Sequence, residues 1–204
     1  MPITIQTCTP GTGFTANCYI ITDTTSNVSA IIDPGDCDAA LEQLVTGLDV
    51  RYILLTHRHF DHICGTARLK ALLPAAKVAI HVNDACGLEH GEDSLALQRG
   101  IDFIPCMPDI LLVGNDILPL GGTNIQVLHT PGHTIGGVCY IIDDNIFSGD
   151  TLFCEGIGRL DLPTGNFEAM NASLRALFAL KGDYNLFPGH NEATTLAAEQ
   201  NRGT

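Results

Sequence analysis

Thr56-His57-Arg58-His59-Phe60-Asp61-His62 stands directly behind the apolar run 51–55. That run is short, β-branched or large, and bounded by polar residues, as expected of a strand covered on both faces. The heptapeptide behind it supplies three imidazoles and a carboxylate, donors that suit zinc or iron. Taken alone, it also fits a solvated His-rich turn. If the chain stays extended there, His57 and His59, two residues apart, point their rings the same way. Asp61 and His62 lie beyond that point, where a helix is expected to begin, and face a neighbouring position. One cluster can therefore serve two metals.

Three further polar residues each follow an expected strand. His133 lies in Thr130-Pro131-Gly132-His133-Thr134 after strand 124–128, and Asp150 in Ser148-Gly149-Asp150-Thr151 after strand 145–147. His190 lies in Pro188-Gly189-His190 after strand 184–187. A glycine precedes each, which allows close backbone approach and unusual φ angles. Singly, each reads as a turn residue. Together, at strand ends where loops build sites, they read as a ligand set.

Strands are also expected at 3–7, 16–22, 28–32, 78–82 and 137–142, with a hairpin turn at Asp143-Asp144-Asn145. A helix is expected over 36–47, with Asp36 as N-cap and Gly47 as its stop. Others are expected over 63–73, halted by Pro74, over 167–180, and from about Ala193. Residues 83–116 carry glycines and prolines with little periodicity and read as a surface excursion with short helical pieces. The order of elements implies two sheets with helices packed outside. No break in composition marks a second domain, so one domain over 1–204 is expected.

With 204 residues and 45% of them hydrophobic, the chain can bury a sizeable core, which excludes a disordered tail or a disulfide scaffold. No apolar stretch approaches the ~18 residues of a membrane span. The net charge of −13 disfavours nucleic acid and anionic membranes as partners. The first basic residue is Arg51, so residues 1–50 lack a secretory n-region, and a cytoplasmic location is expected. The eight cysteines form no C-x-x-C pair and read as reduced, apolar fillers.

His57-x-His59-x-Asp61-His62 followed by His133, Asp150 and His190 resembles the ligand pattern of the metallo-β-lactamase fold, over residues ~14–192. The resemblance implies an α+β, αββα sandwich with a dinuclear site at one edge. His57, His59 and His133 would hold the first metal, Asp61, His62 and His190 the second, and Asp150 would bridge them. Asp150 stands where many β-lactamases of this fold have Cys, which points to the glyoxalase II-like branch. Gly149-Asp150-Thr151-Leu152-Phe153 and Gly156-Ile157-Gly158-Arg159 resemble that branch further, and Arg159 becomes the substrate-binding candidate. The chain departs from it in reading Pro-Gly-His-Asn and in ending soon after His190, without the extra helical domain.

The activity so implied is hydrolysis of a small thioester, an S-acyl conjugate of a low-molecular-weight thiol, by a metal-bridging hydroxide. Asp61 is the candidate for orienting that hydroxide. The cofactors implied are two divalent ions, zinc first, with iron or manganese as alternatives. A rival is a persulfide (sulfur) dioxygenase holding one iron through His57, His133 and Asp150. A lactonase or β-lactamase-like hydrolase and a nuclease are further readings; the acidic charge argues against the nuclease. A purely structural metal site would need four protein ligands per metal and no open position. Among other residues, His81 and His90 read as hydrogen-bonded or solvated, and His129 as a possible support for His133. Asp33 reads as a turn former or as the partner of a metal-bound histidine, and Cys154 as core filler.

Overall fold

Strands buried on both faces need apolar side chains at successive positions, and this chain supplies them. The computed structural model describes residues 3–11, 13 and 16–203. One six-stranded sheet contains, in chain order, β1 (Ile3–Cys8), β2 (Cys18–Asp23), β3 (Val28–Ile32), β4 (Asp49–Leu54), β5 (Lys77–His81) and β6 (Ile110–Leu112). β1 to β3 are antiparallel; β3 to β6 are parallel. The second six-stranded sheet contains β7 (Ile117–Leu120), β8 (Thr123–His129), β9 (Val138–Ile142), β10 (Asn145–Gly149), β11 (Asn185–Pro188) and β12 (Thr194–Thr195). Only its β10–β11 pair is parallel.

The alternation of side chains across each strand builds three apolar layers. Tyr19 and Ile21 of β2 face inward and join Leu54, Val127, Tyr140 and Phe147 between the sheets. Cys18 and Ile20 of the same strand face outward, against Leu41 and Val45 of α1 (Ala39–Val45) and Leu69 of α3 (Thr66–Leu72). On the other side Cys139, Ile141 and Ile146 pack on Met170, Leu174 and Leu177 of α5 (Phe167–Phe178) and on Leu196 of α6 (Leu196–Arg202). The result is the expected αββα sandwich. No helix among the described residues is long and apolar enough to cross a membrane.

Several boundaries differ from expectation. The N-cap of α1 is Asp38, which accepts from Leu41 N at 2.9 Å; Asp36 takes Cys37 N instead, at 2.7 Å. The helix expected over 63–73 is two pieces, α2 (Phe60–Ile63) and α3. Gly65 N donates to Pro34 O and the Asp61 carbonyl accepts from Ala16 N, which diverts the i to i−4 ladder where the helix would continue. The excursion 83–116 holds α4 (Cys86–Glu89) and a 3-10 turn at Leu97–Arg99, but also the edge strand β6. β6, β7 and β12 are too short to show a period and exist through pairing. α6 begins at Leu196, where the Thr195 side chain accepts from Ala198 N.

Candidate metal centre

The loops leaving β4, β8, β10 and β11 meet at one edge of the sandwich and carry all seven expected ligands. His57, His59 and His133 form one group of converging donors; His57, His62 and Asp150 form a second, and Asp61, His62 and His190 a third. Ligand atoms within each group lie within 4.8 Å of one another. His57, His59, His62 and His133 are buried, while Asp61, Asp150 and His190 are partly exposed towards a cleft.

Each ring is oriented by what its outer nitrogen meets. His62 Nδ1 donates to Asp33 Oδ2 at 2.9 Å, and His133 Nδ1 donates to the Arg159 carbonyl at 2.7 Å. The Thr56 hydroxyl donates to Asp33 Oδ2 at 2.6 Å, which leaves its oxygen to accept from His57 Nδ1 at 3.1 Å. These contacts place a proton on Nδ1 of all three rings and aim Nε2 of each into the site. Nε2 of His57 and His62 and Oδ1 of Asp150 are buried without a hydrogen-bond partner. His59 Nδ1 lies 2.8 Å from His133 Nε2, close enough for one hydrogen bond or for both nitrogens to meet one cation. Orphaned, buried, electron-rich atoms in this number fit a site for divalent metal.

The electrostatics agree. Burial pushes His57 well below the usual imidazole range, with the neighbouring histidines adding to it. Burial and His133 push His59 down to about 3, so both rings are neutral, as ligands must be. His62 differs: burial would lower it, but the Asp150, Asp33 and Asp61 carboxylates outweigh burial and hold that ring well above its ordinary value, so the site favours a positive charge at Nε2, a proton or a metal ion in its place. Burial alone would raise Asp150, yet His62, His133 and His190 keep its carboxyl far below the usual range. Asp61 follows the same pattern and is lowered, with His62 and His190 opposing burial.

Two glycines are steric requirements of this packing. Gly149 has φ +48 and sits against the Thr56 side chain, so β10 turns sharply into Asp150. A Cβ at Gly189 would stand 2.7 Å from His62 Cε1 and closer still to the Asp150 carboxylate.

Two carboxylates at distant positions brace the loops. Asp33 is both things weighed for it: a residue with φ +52 in the turn after β3, and the acceptor for Thr56 and His62. Asp84, for which the sequence offers no signal, accepts from Arg58 N at 3.2 Å, Thr134 Oγ1 at 2.6 Å and Gly136 N at 3.0 Å. It thereby ties the loop of His57 and His59 to the loop of His133. His129 does not touch His133; it bonds the Ile135 carbonyl and stacks on buried His81, centroids 4.1 Å apart. His90 is exposed, and Cys154 is a free, part-buried thiol.

A cleft of about 380 Å³ opens over these donors. His59, Asp61, His133, Asp150 and His190 face it; Phe60, Leu95, Phe153, Ile157 and Leu162 give it apolar walls, and Arg99 and Arg159 add charge. Arg159, the substrate-binding candidate, lines the cleft, and its guanidinium is held by Asp161 at 2.7 and 2.6 Å.

Residues 11–190 match the Metallo-beta-lactamase superfamily. The chain belongs to that superfamily. It is 35% identical to hydroxyacylglutathione hydrolase GloC of Haemophilus influenzae over 198 residues, covering 94% of this chain and 92% of that one. Among solved structures, BLEG-1 B3 metallo-beta-lactamase superposes with a TM-score of 0.89 at 29% identity, covering 97% of both chains. TTHA1623 in a di-iron-bound form superposes with a TM-score of 0.83 at 36% identity, covering 96% of both. With its His/Asp cluster, the chain is a metal-dependent hydrolase of this superfamily.

Proposed function

We propose that the protein is a dinuclear metal-dependent hydrolase cleaving a small thioester, an S-acyl conjugate of a low-molecular-weight thiol. The observation that carries this reading is the carboxylate of Asp150. Its Oδ1 lies 3.3 and 3.7 Å from Nε2 of His62 and His190, and its Oδ2 lies 3.3 Å from Nε2 of His133. One oxygen turned towards each ligand group is what a bridging residue requires. On this reading His57, His59 and His133 hold one ion, and Asp61, His62 and His190 hold the other. Two bound ions, zinc or alternatively iron or manganese, would polarise a carbonyl and lower the pKa of water from 15.7 towards ~7.

The chain itself supplies position and polarity. Asp61, held ionised by His62 and His190, accepts a hydrogen bond from the attacking water and orients it. Phe60, Phe153, Ile157 and Leu162 receive the acyl portion and keep bulk water from it. A thiolate leaves without a general acid because thiol pKa values are only ~8.5. The similarity to a hydroxyacylglutathione hydrolase along nearly the whole chain supports a thioester substrate. The partner is then a small molecule, and we place the reaction in the cytoplasm.

The test is loss of thioester absorbance with S-lactoylglutathione, using metal-loaded protein, chelated protein and a His59→Ala variant. Hydrolysis that needs both metal and His59 is expected. Two metals bound with no turnover would discard this substrate and move the search to other thioesters and lactones. One iron bound, with oxygen uptake on a persulfide, would overturn the hydrolase in favour of a dioxygenase using His57, His133 and Asp150.

A further inference from the structure

We propose that Arg99 is the anion-binding subsite of the cleft, so that the preferred thioesters carry a carboxylate remote from the reacting carbonyl. This deepens the thioesterase reading and rests on it. The chain has only 10 Lys and Arg against 23 Asp and Glu, so a cation at the cleft is a scarce feature. Two line it, Arg99 and Arg159. They differ in what they are free to do. Arg159 gives two parallel hydrogen bonds to Asp161, the geometry that satisfies a guanidinium fork, and an incoming anion would have to displace that carboxylate. Its contribution to the metal centre runs through its main-chain carbonyl, which His133 Nδ1 meets at 2.7 Å. Arg58 is buried, bonded to Cys86 Sγ and Thr164 Oγ1 and lying beside Asp84. Arg99 is exposed, and its guanidinium has no hydrogen-bond or ion-pair partner among the described residues.

The backbone brings that residue to the cleft. Phe60, directly between the ligands His59 and Asp61, donates its N–H to the Ser94 carbonyl at 2.9 Å. The next residue, Leu95, has φ +67, a conformation rarely adopted by a large side chain. That turn puts Leu95 on the cleft wall, and the 3-10 turn Leu97–Arg99 then brings Arg99 to the same cleft. The excursion 83–116 thus reaches the site on the side of the first sheet, whereas Arg159 follows β10 of the second. A substrate with its acyl group among Phe153, Ile157 and Leu162 can extend a carboxylate to Arg99 without disturbing the Arg159–Asp161 pair.

The test uses the metal-loaded protein with S-lactoylglutathione and its diethyl ester, which differ only in the carboxylates. In R99Q the ratio of kcat/KM for diacid over diester is expected to fall about tenfold, mainly through KM, the lower end for a lost charged hydrogen bond. R159Q should move the ratio less, and R99K should restore most of it. An equal ratio in wild type and R99Q, or a larger fall in R159Q, overturns the assignment. Binding of S-methylglutathione and its diester by calorimetry gives a readout without turnover. Wild type should prefer the diacid, and R99Q should lose about tenfold of that preference. If neither thioester is hydrolysed, the thioesterase reading fails by itself; a diacid preference abolished by R99Q would still establish the subsite. No diacid preference in wild type would refute the subsite.

Discussion

Asp33→Asn isolates the role of one oxygen. Asp33 is 1% exposed, and its carboxylate accepts from Thr56 N at 2.7 Å, Thr56 Oγ1 at 2.6 Å and His62 Nδ1 at 2.9 Å. Its φ of +52 is one that Asn also adopts readily, so the substitution keeps backbone and volume and changes only the capacity to accept. An amide has one acceptor oxygen. Turned towards His62, it points its NH2 at Thr56 N–H; turned the other way, it points NH2 at His62 Nδ1–H and the hydroxyl. Either way a buried donor loses its partner, at about 1–3 kcal/mol, and the surviving bonds lose their charge-assisted strength. We expect a total loss of about 2–4 kcal/mol in the metal-free protein, seen in urea unfolding as a lower midpoint at unchanged m.

The same variant separates the two ligand groups. Without its anchor, His62 no longer presents Nε2 in a fixed direction, and the group Asp61, His62 and His190 should lose about 10–100-fold in metal affinity. His133 keeps its anchor in the Arg159 carbonyl, so the group His57, His59 and His133 should be affected less. Competition with a chelator reads the two affinities. Two unchanged affinities together with wild-type stability would refute the argument that Asp33 fixes this ring.

Gly189→Ala places a methyl against His62 Cε1 and the Asp150 carboxylate, and should cost about tenfold or more in metal affinity with about 1–3 kcal/mol of overpacking. Metal content after gel filtration and urea unfolding check it, and full retention of metal would contradict the steric argument. His81, buried and stacked on His129, is lowered to about 4, first by burial and then by the neighbouring ring. Its unfolded value is near 6.5, so below that pH the unfolded chain takes the proton first. Its contribution is complete above pH ~6.5, falls as pH drops towards ~4 and then levels, by up to about 3 kcal/mol. Metal-free His81→Gln should show a flatter stability profile across that window, and a profile parallel to wild type would sink the reasoning.

The seven candidate donors, which the fold brings together, and the sandwich were legible because their signals are short in range. Paired imidazoles after a buried strand, and glycines before single polar residues at strand ends, are local patterns imposed by local chemistry. Helix caps were less legible: Asp36 and Asp38 precede the same apolar run, and the backbone path alone chooses Asp38. The excursion 83–116 carried no period, so neither β6 nor the approach of Arg99 to the cleft could be read from it.

Asp84 marks the boundary most clearly. Its partners lie 26, 50 and 52 residues away, and no spacing in a single chain announces such contacts. Arg159 shows the converse: its position was readable, but its engagement with Asp161 and the service of its carbonyl to His133 were not. Which donors the chain owns follows from residue type and short-range order. Which nitrogen of each ring faces the site, which carboxylate braces which loop and which guanidinium is free depend on long-range packing, because hydrogen bonding and burial are properties of neighbours in space.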